Sequence, residues 1–220
     1  MTRGDHDPTR PADAGAGDAG YLVPLRRHRT EEVVRGSRFI TTLERARNED
    51  EARSVIASLG TEFPDATHHC WAFVAGPSGD TARIGLSDDG EPHGTAGRPI
   101  LETLLHSGVG EVVAVVTRYY GGTKLGRGGL GRAYSGGVSS ALDTLPVERL
   151  VPRTRLRIEV DYPAFDALAR FLESVDARRK EEDYGASVTL LVAVPDRSVP
   201  RLQALVAELT SGTGSIRPAE

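Results

Sequence analysis

The sequence predicts an α+β protein built from two domains, on three observations. Short β-branched and aromatic runs alternate with helical patterns through the first 145 residues, so strands and helices are interspersed. Pro146 and Pro152, in "PVERLVPRTR", then break the helical pattern and mark a boundary. Past that boundary the elements read β-α-β-β-α-β, the ferredoxin-like order, which lays two helices on one face of an antiparallel sheet. The expected domains are residues 21–148 and 153–218. A tail over residues 1–20, made of Gly, Ala, Asp, Pro and Thr without an apolar period, reads as disordered.

Each element has a local warrant. Order begins near "YLVPLRRH", and "EEVVRGSRFITTL" reads as a hairpin or bent strand pair around Gly36 and Ser37. In "NEDEARSVIASLG", Asn48 is an N-cap candidate, Glu49, Asp50 and Glu51 suit the positive end of the helix dipole, and Gly60 is the expected stop. "HHCWAFVAG" and "ARIGLSDDG" read as strands joined by the turn "PSGD", and "TAGRPILETLLHSG" as a helix from near Thr95 to Gly108. "EVVAVVTRYY" is a near-continuous Val-rich run that suits a central strand covered on both faces. "LGRAYSGGVSSALDTL" reads as a helix in which Gly136 and Gly137 make sense only where something packs close to the backbone. In the second domain the strands are "RLRIEVDY", "RKEEDYG", "SVTLLVAV" and "SIRP", and the helices "PAFDALARFLESV" and "VPRLQALVAELTSG".

Composition narrows the function classes. With 39% hydrophobic and 26% charged residues in 220, the chain is an ordinary globular one, and a net charge of −4 offers no global attraction for nucleic acid. Any such binding needs a local patch. Cys70 is the single cysteine, which excludes an intramolecular disulfide framework and fits a reducing compartment. No apolar run approaches the roughly 18 residues of a membrane span, and the first residues lack the apolar stretch of a secretory signal. The expectation is a cytoplasmic protein with no membrane contact.

The feature that most needs explaining is "RYYGGTKLGRGGLGRAYSGG". From Gly121 to Gly137 there are eight glycines, and from Val112 to Leu142 there is no acidic residue, while Arg118, Lys124, Arg127 and Arg132 are basic. A strand end, a glycine-rich loop and a helix N-terminus carrying cations form a ready anion site, and Tyr119 and Tyr120 offer rings to stack on a base. The candidate anion or RNA site is therefore Arg118, Tyr119, Tyr120, Gly121, Gly122, Lys124, Arg127, Gly128, Gly129 and Arg132. The competing reading leaves the arginines solvated or paired with Asp88, Asp89 or Glu91, with the glycines serving close packing. "GRGGLG" matches a dinucleotide-binding pattern in form, but Gly121 to Leu125 separate it from the strand end, and no Gly-Lys-Ser/Thr of a P-loop is present.

A second constellation is "SDDGEPHGTAG". Asp88, Asp89 and Glu91, with Arg98 nearby, could bind a divalent cation or move protons, whereas Asp-Asp-Gly and Glu-Pro are also plain turn formers. "HHC" invites a zinc reading. On a strand, however, His68 and Cys70 face one way and His69 and Trp71 the other, so only two ligands converge, and His93 or His106 would have to complete the set. No metal and no cofactor is expected, and no serine or cysteine has an evident base partner.

"SDDGEPHGTAGRPILETLLHSGVGEVVAVVTRYYGGTKLGRGGLGRAYSGG" resembles the signature region of the IMPACT / YigZ family, and "GSRF" and "HCWAF" are similar to its smaller upstream motifs. His93 stands where that pattern has a small residue. The resemblance implies a first domain similar to the second domain of ribosomal protein S5, with a left-handed βαβ arrangement. It also implies a ferredoxin-like second domain similar to one of elongation factor G. Eukaryotic relatives regulate translation initiation by competing for the activator of a stress-responsive kinase, and the resemblance brings no catalytic residue. It implies a non-enzymatic, translation-associated regulator that binds RNA, the ribosome or a translation factor. One alternative is an enzyme acting on a phosphorylated small molecule: the GHMP class of kinases shares the S5-like fold and a Gly-Leu-Gly loop, although "RAYSGG" follows here instead of Ser-Ser-Ala. The other is a protein-interaction module whose acidic and basic loops pair internally.

Overall fold

The computed structural model describes residues 20–219, so the tail expected over residues 1–20 lies, Gly20 apart, outside the described residues. One compact unit spans Tyr21–Leu150 and a second begins at Val151. Among the described residues no helix is long and apolar enough to cross a membrane.

In the first unit the elements run β1 (Tyr21–Pro24), β2 (His28–Val34), β3 (Ser37–Arg45), α1 (Glu49–Glu62), β4 (His68–Val74), β5 (Ile84–Ser87), α2 (Gly97–Leu105), β6 (Val112–Tyr119), α3 (Arg127–Asp143) and β7 (Val147–Leu150). The expected hairpin at "VVRGSRF" is present, its turn made by Arg35 and Gly36, both at positive φ (49° and 83°), as a two-residue primed turn requires. Five strands form one antiparallel sheet in the order β2-β3-β6-β4-β5. The Val-rich β6 is its middle strand. Val112, Ala114 and Val116 face the core shared with α2 and α3, and Val113 and Val115 face the smaller core under α1. Both faces of β6 are thus apolar, which is why its sequence does not alternate.

Three local differences separate the sequence reading from the structure. Gly60 does not stop α1, which continues to Glu62 and closes where the Phe63 N–H bonds the Leu59 carbonyl, with Phe63 packed against the α1 core. Helix α2, expected to run from near Thr95 to Gly108, spans Gly97–Leu105, and its start is capped by Asp88, across the loop. "PVERL", read as a break, forms β7, which pairs antiparallel with β1 and so joins the two ends of the unit.

Helix α3 crosses β2 and β3 closely. A Cβ on Gly137 would lie 2.9 Å from Thr41 Oγ1 and 3.2 Å from Glu32 Oε1, which explains the glycine there; Gly136 meets nothing within 4 Å. The Glu32 oxygen is buried without a hydrogen-bond partner, and desolvation raises this carboxyl above its usual value.

The second unit runs β8 (Arg153–Val160), α4 (Tyr162–Ser174), β9 (Arg178–Tyr184), β10 (Val188–Pro195), α5 (Val199–Leu209) and β11 (Ser215–Pro218). This is the β-α-β-β-α-β succession read from the sequence. Its sheet is antiparallel in the order β11-β8-β10-β9. Leu156, Ile158, Val160, Leu190, Val192 and Val194 pack beneath Leu168, Leu172, Leu202 and Val206 of the helices, so both helices cover one face.

A carboxyl whose folded pKa is raised favours the fold only while protonated: its contribution is complete below the unfolded value, near 4.3, and is lost as pH rises through the folded value. Glu32→Gln is therefore expected to raise the melting temperature at pH 8 relative to the natural chain, with the gap closing as the pH is lowered; calorimetry at pH 8 and pH 4.5 checks this.

Candidate functional site

The period of β6 determines where Arg118 points. It continues the phase of Val112, Ala114 and Val116 and therefore enters the α2–α3 side of the sheet, where His68 and Cys70 of the neighbouring β4 also lie. There it forms an ion pair with Glu91, the two side chains being 5% and 4% exposed. Arg118 Nη2 donates to Ser37 Oγ at 3.1 Å, and the guanidinium lies between the rings of Phe39 and Tyr120, 5.3 and 5.5 Å from their centroids. Only its Nε is buried without a partner. Arg118 is thus no surface cation, and its neutralising group comes from the acidic loop, 27 residues earlier.

The same carboxylate holds a second buried group. Tyr134, the most voluminous fully buried side chain, donates its hydroxyl to Glu91 Oε1 at 2.8 Å. The Cys70 thiol lies 3.3 Å from the Tyr134 oxygen and 2.9 Å from the Asp88 carbonyl. Burial pushes the Cys70 thiol up to about 12, against the opposing effect of its hydrogen bond to Tyr134, so this sulfur is a packed hydrophobe and no nucleophile. Burial likewise raises Tyr134, with nearby Cys70 and Glu91 adding to it, and its proton stays on. His68 completes the cluster, with Nδ1 2.7 Å from the Asp89 carbonyl and Nε2 4.0 Å from Glu91 Oε1.

The remaining acidic-loop residues are also engaged. Asp88 accepts the backbone N–H groups of Gly94, Ala96 and Gly97 at 2.7, 3.0 and 2.9 Å, capping α2 from outside the helix. Burial opposes its ionisation, but the three N–H bonds and nearby His93 outweigh this and hold the carboxyl below its usual value. Asp89 accepts the His69 N–H at 2.6 Å, and Arg98 pairs with Glu102 one turn along α2. His69 turns to the other face of the sheet, with its ring nitrogens on Thr117 and the Phe63 carbonyl. No group of three His, Cys, Asp or Glu side chains among the described residues is arranged to hold a metal ion.

The basic loop divides into residues that are built in and residues that face water. Gly121 is built in: a Cβ there would fall 2.0 Å from the Gly36 carbonyl, so only glycine lets the loop cross the β2–β3 turn, and its N–H bonds Ser37 Oγ at 3.1 Å. Tyr119 donates to Asp65 and stacks under Arg38, whereas Tyr120 is 47% exposed. Gly122 and Gly126 carry positive φ, 82° and 75°. Gly126 is the N-cap of α3 and offers no side-chain cap; Gly128 and Gly129 lie in the first turn, which contains no acidic residue. Lys124, Arg127 and Arg132 are exposed around it. Arg127 Nη2 donates to the His93 carbonyl, tying the basic loop to the acidic one, and Arg132 Nη1 arches back to within 3.5 Å of where a Gly128 Cβ would stand. Beside this turn a groove of about 310 Å³ runs along α3, lined among others by Val34, Arg35, Leu125, Arg132 and Gly136.

Removing one partner of a buried ion pair leaves an uncompensated charge, which costs about 3–5 kcal/mol, while an apolar pair of similar volume is close to neutral. Glu91→Leu and Arg118→Met are each expected to cost that much, and the double variant to recover most of it, in urea unfolding of the three chains. Asp88→Ala is expected to cost about 2 kcal/mol as a lost cap. Because the folded pKa of Asp88 is lowered, its stabilisation is present above the unfolded value near 3.9 and fades as pH falls through the folded value. The stability gap between the natural chain and Asp88→Asn should therefore narrow under acid titration from pH 5 downward.

Comparison with known proteins matches both units. Residues 35–142 match the family described as the Impact N-terminal domain, and residues 158–213 match a domain of unknown function, DUF1949. The IMPACT family member YigZ of Escherichia coli (strain K12) is 42% identical over 193 residues, covering 88% of this chain and 95% of that protein. An IMPACT family member of Haemophilus influenzae is 40% identical over 194 residues, covering 88% of this chain and 94% of the relative. A solved structure described as that of a hypothetical protein is 40% identical, with a TM-score of 0.65 over 92% of this chain and 98% of its own. The buried Glu91–Arg118 pair and the glycine-rich loop above it lie within the first of these matches, and the chain belongs to the IMPACT family.

Proposed function

We propose that this protein is a cytoplasmic, translation-associated regulator that binds RNA, on its own or within the ribosome or a translation-factor complex, through the start of α3. The observation that carries this reading is the set of exposed cations Lys124, Arg127 and Arg132 around a helix N-terminus with no side-chain cap and no acidic residue in its first turn. Backbone N–H groups and the positive end of the helix dipole favour an anion there, and the three side chains add charge that a phosphate diester neutralises. Tyr120 adds an exposed ring beside the loop for a base to stack on. Arg118 and Tyr119 act from beneath, as the floor that holds the loop.

Binding rather than turnover is the reading the acidic loop supports. Asp88 is spent on three backbone N–H groups, Asp89 on the His69 N–H and Glu91 on Arg118 and Tyr134, so none is poised to shuttle protons or to grip a cation beside a phosphate.

Binding of a labelled single-stranded RNA and co-sedimentation with ribosomes, each at 50 and 200 mM salt, test the proposal. Three neutralised phosphates on a single strand give a log–log salt slope of about −2, hence roughly twenty-fold weaker binding across that range. The Lys124→Ala, Arg127→Ala, Arg132→Ala variant should bind more weakly and with a salt slope flatter by about 2, while melting like the natural chain. Salt-insensitive binding, or binding untouched by the three substitutions, would sink this reading. Stabilisation by ATP with Mg²⁺ but not by RNA would favour the small-molecule alternative.

A further inference from the structure

The second unit carries charge of a different kind. With α4 and α5 on one face of its sheet, the strand alternation sends the other residues to the helix-free face. On β8 the buried Leu156, Ile158 and Val160 alternate with exposed Arg155, Arg157 and Glu159. The register sets Arg157 directly across from Arg217 of β11, and places Ala193 of β10 between Arg155 and Arg178. Arg179, beyond Arg178 on β9, turns to the helical side and bonds the Ala169 carbonyl and Glu173 of α4, which confirms that Arg178 faces the other way.

Arg155, Arg157, Arg178 and Arg217 are all exposed, and among the described residues none forms an ion pair or a side-chain hydrogen bond. Arginines elsewhere in the chain commonly have such partners: Arg27, Arg29, Arg38, Arg45, Arg53 and Arg98 all pair with carboxylates. Of the acidic side chains that share the sheet face, Glu159 and Asp183 stand further along it, opposite Thr189, with Glu159 accepting the Ser187 hydroxyl, and Glu181 lies across Leu191 from Arg157, paired with none of the four arginines. Like charges directly opposite on neighbouring strands are destabilising, so the Arg157–Arg217 pair costs stability that no carboxylate among the described residues returns. A counter-ion from outside does return it.

We infer that the helix-free sheet face of the second unit, centred on Arg155, Arg157 and Arg217 with Arg178 at its margin, is a binding surface for the phosphate backbone of single-stranded RNA. Guanidinium forks match phosphate oxygens in a bidentate way that ammonium groups do not. The apolar groups of the basic part of the face are Ala193, beside Arg155, and the half-buried Leu191, beside Arg157, with no exposed aromatic or large aliphatic anchor of the kind a protein partner uses, which leaves charge as the attraction. This surface lies in a different unit from the glycine-rich loop, and none of its four arginines belongs to that loop.

The test uses the full chain carrying Lys124→Ala, Arg127→Ala and Arg132→Ala, with and without Arg155→Gln, Arg157→Gln and Arg217→Gln, and a fluorescein-labelled twelve-residue oligouridylate read by anisotropy between 50 and 200 mM salt. Removing the three sheet arginines should weaken binding about tenfold or more at 100 mM salt and flatten the salt slope by about 2 units, as three lost contacts to a single strand require. Arg→Lys at the same positions should restore most of the slope. The Gln variant should melt no lower than its parent, since the cross-strand repulsion is gone. An unchanged affinity and slope, a lowered melting temperature, absence of RNA binding by the parent, or equal displacement by a polyglutamate peptide would each overturn the inference. If the loop substitutions leave binding intact while the sheet substitutions abolish it, the loop reading falls and this one stands.

Discussion

The architecture of the first unit turns on one electrostatic constraint: an arginine at the end of the central strand points into the apolar side of the sheet. Taking a guanidinium out of water costs several kcal/mol unless charge and hydrogen bonds meet it there. The surroundings of Arg118 supply them from three separate segments: Glu91 from the loop before α2, Ser37 and Phe39 from the start of β3, and Tyr120 from just beyond it on its own chain. Each partner must arrive for the others to be satisfied, so the acidic loop, the β2–β3 turn and the glycine-rich loop are held in one arrangement. Tyr134 extends the network into α3 through the same carboxylate, which places the start of that helix relative to the sheet.

Much of this was legible in the sequence, and the illegible parts share a cause. Periodic segments were readable because their pattern is local: the Val run of β6, the Arg35–Gly36 turn, the Asn48 cap, and the β-α-β-β-α-β succession after Val151. The ends of α1 and α2 were not, because distant groups decide them. Gly60 would end an isolated helix, but Phe63 has a core to reach, and the cap of α2 is an aspartate eight residues before Ala96. Strand β7 is four residues with one half-buried side chain, and only its partner β1 makes it a strand. The stretch around Arg118 holds no acid, so the sequence left two readings of it open, an anion-binding cation or a partner of Asp88, Asp89 or Glu91, and in the structure it pairs with Glu91. The signal was available in its phase, an even step from Val112, Ala114 and Val116.

The glycines that first drew notice prove to have separate tasks. Gly121 admits a backbone crossing, Gly126 turns the chain into α3, and Gly137 lets that helix settle on Thr41 and Glu32. A cluster that reads as a single motif is the overlap of several independent steric demands on neighbouring positions. The positive charge beside it obeys another logic: what is buried is neutralised from within, and Lys124 and Arg132 are left to the solvent.

The β1–β7 ribbon also bears on how the first unit responds to force. Tyr21 pairs with Leu150 and Pro24 with Val147, so the chain enters and leaves at the same end of an antiparallel ladder. Tension applied through the residues flanking the unit loads one rung at a time, from Tyr21–Leu150 inward, instead of shearing all of them together. Such tension strains the Tyr21–Leu150 rung and the Tyr21 hydroxyl contact to Glu111 first, and reaches the five-stranded sheet only after the ribbon has opened. The two terminal strands are a mechanical fuse, and the five-stranded sheet is the part that holds.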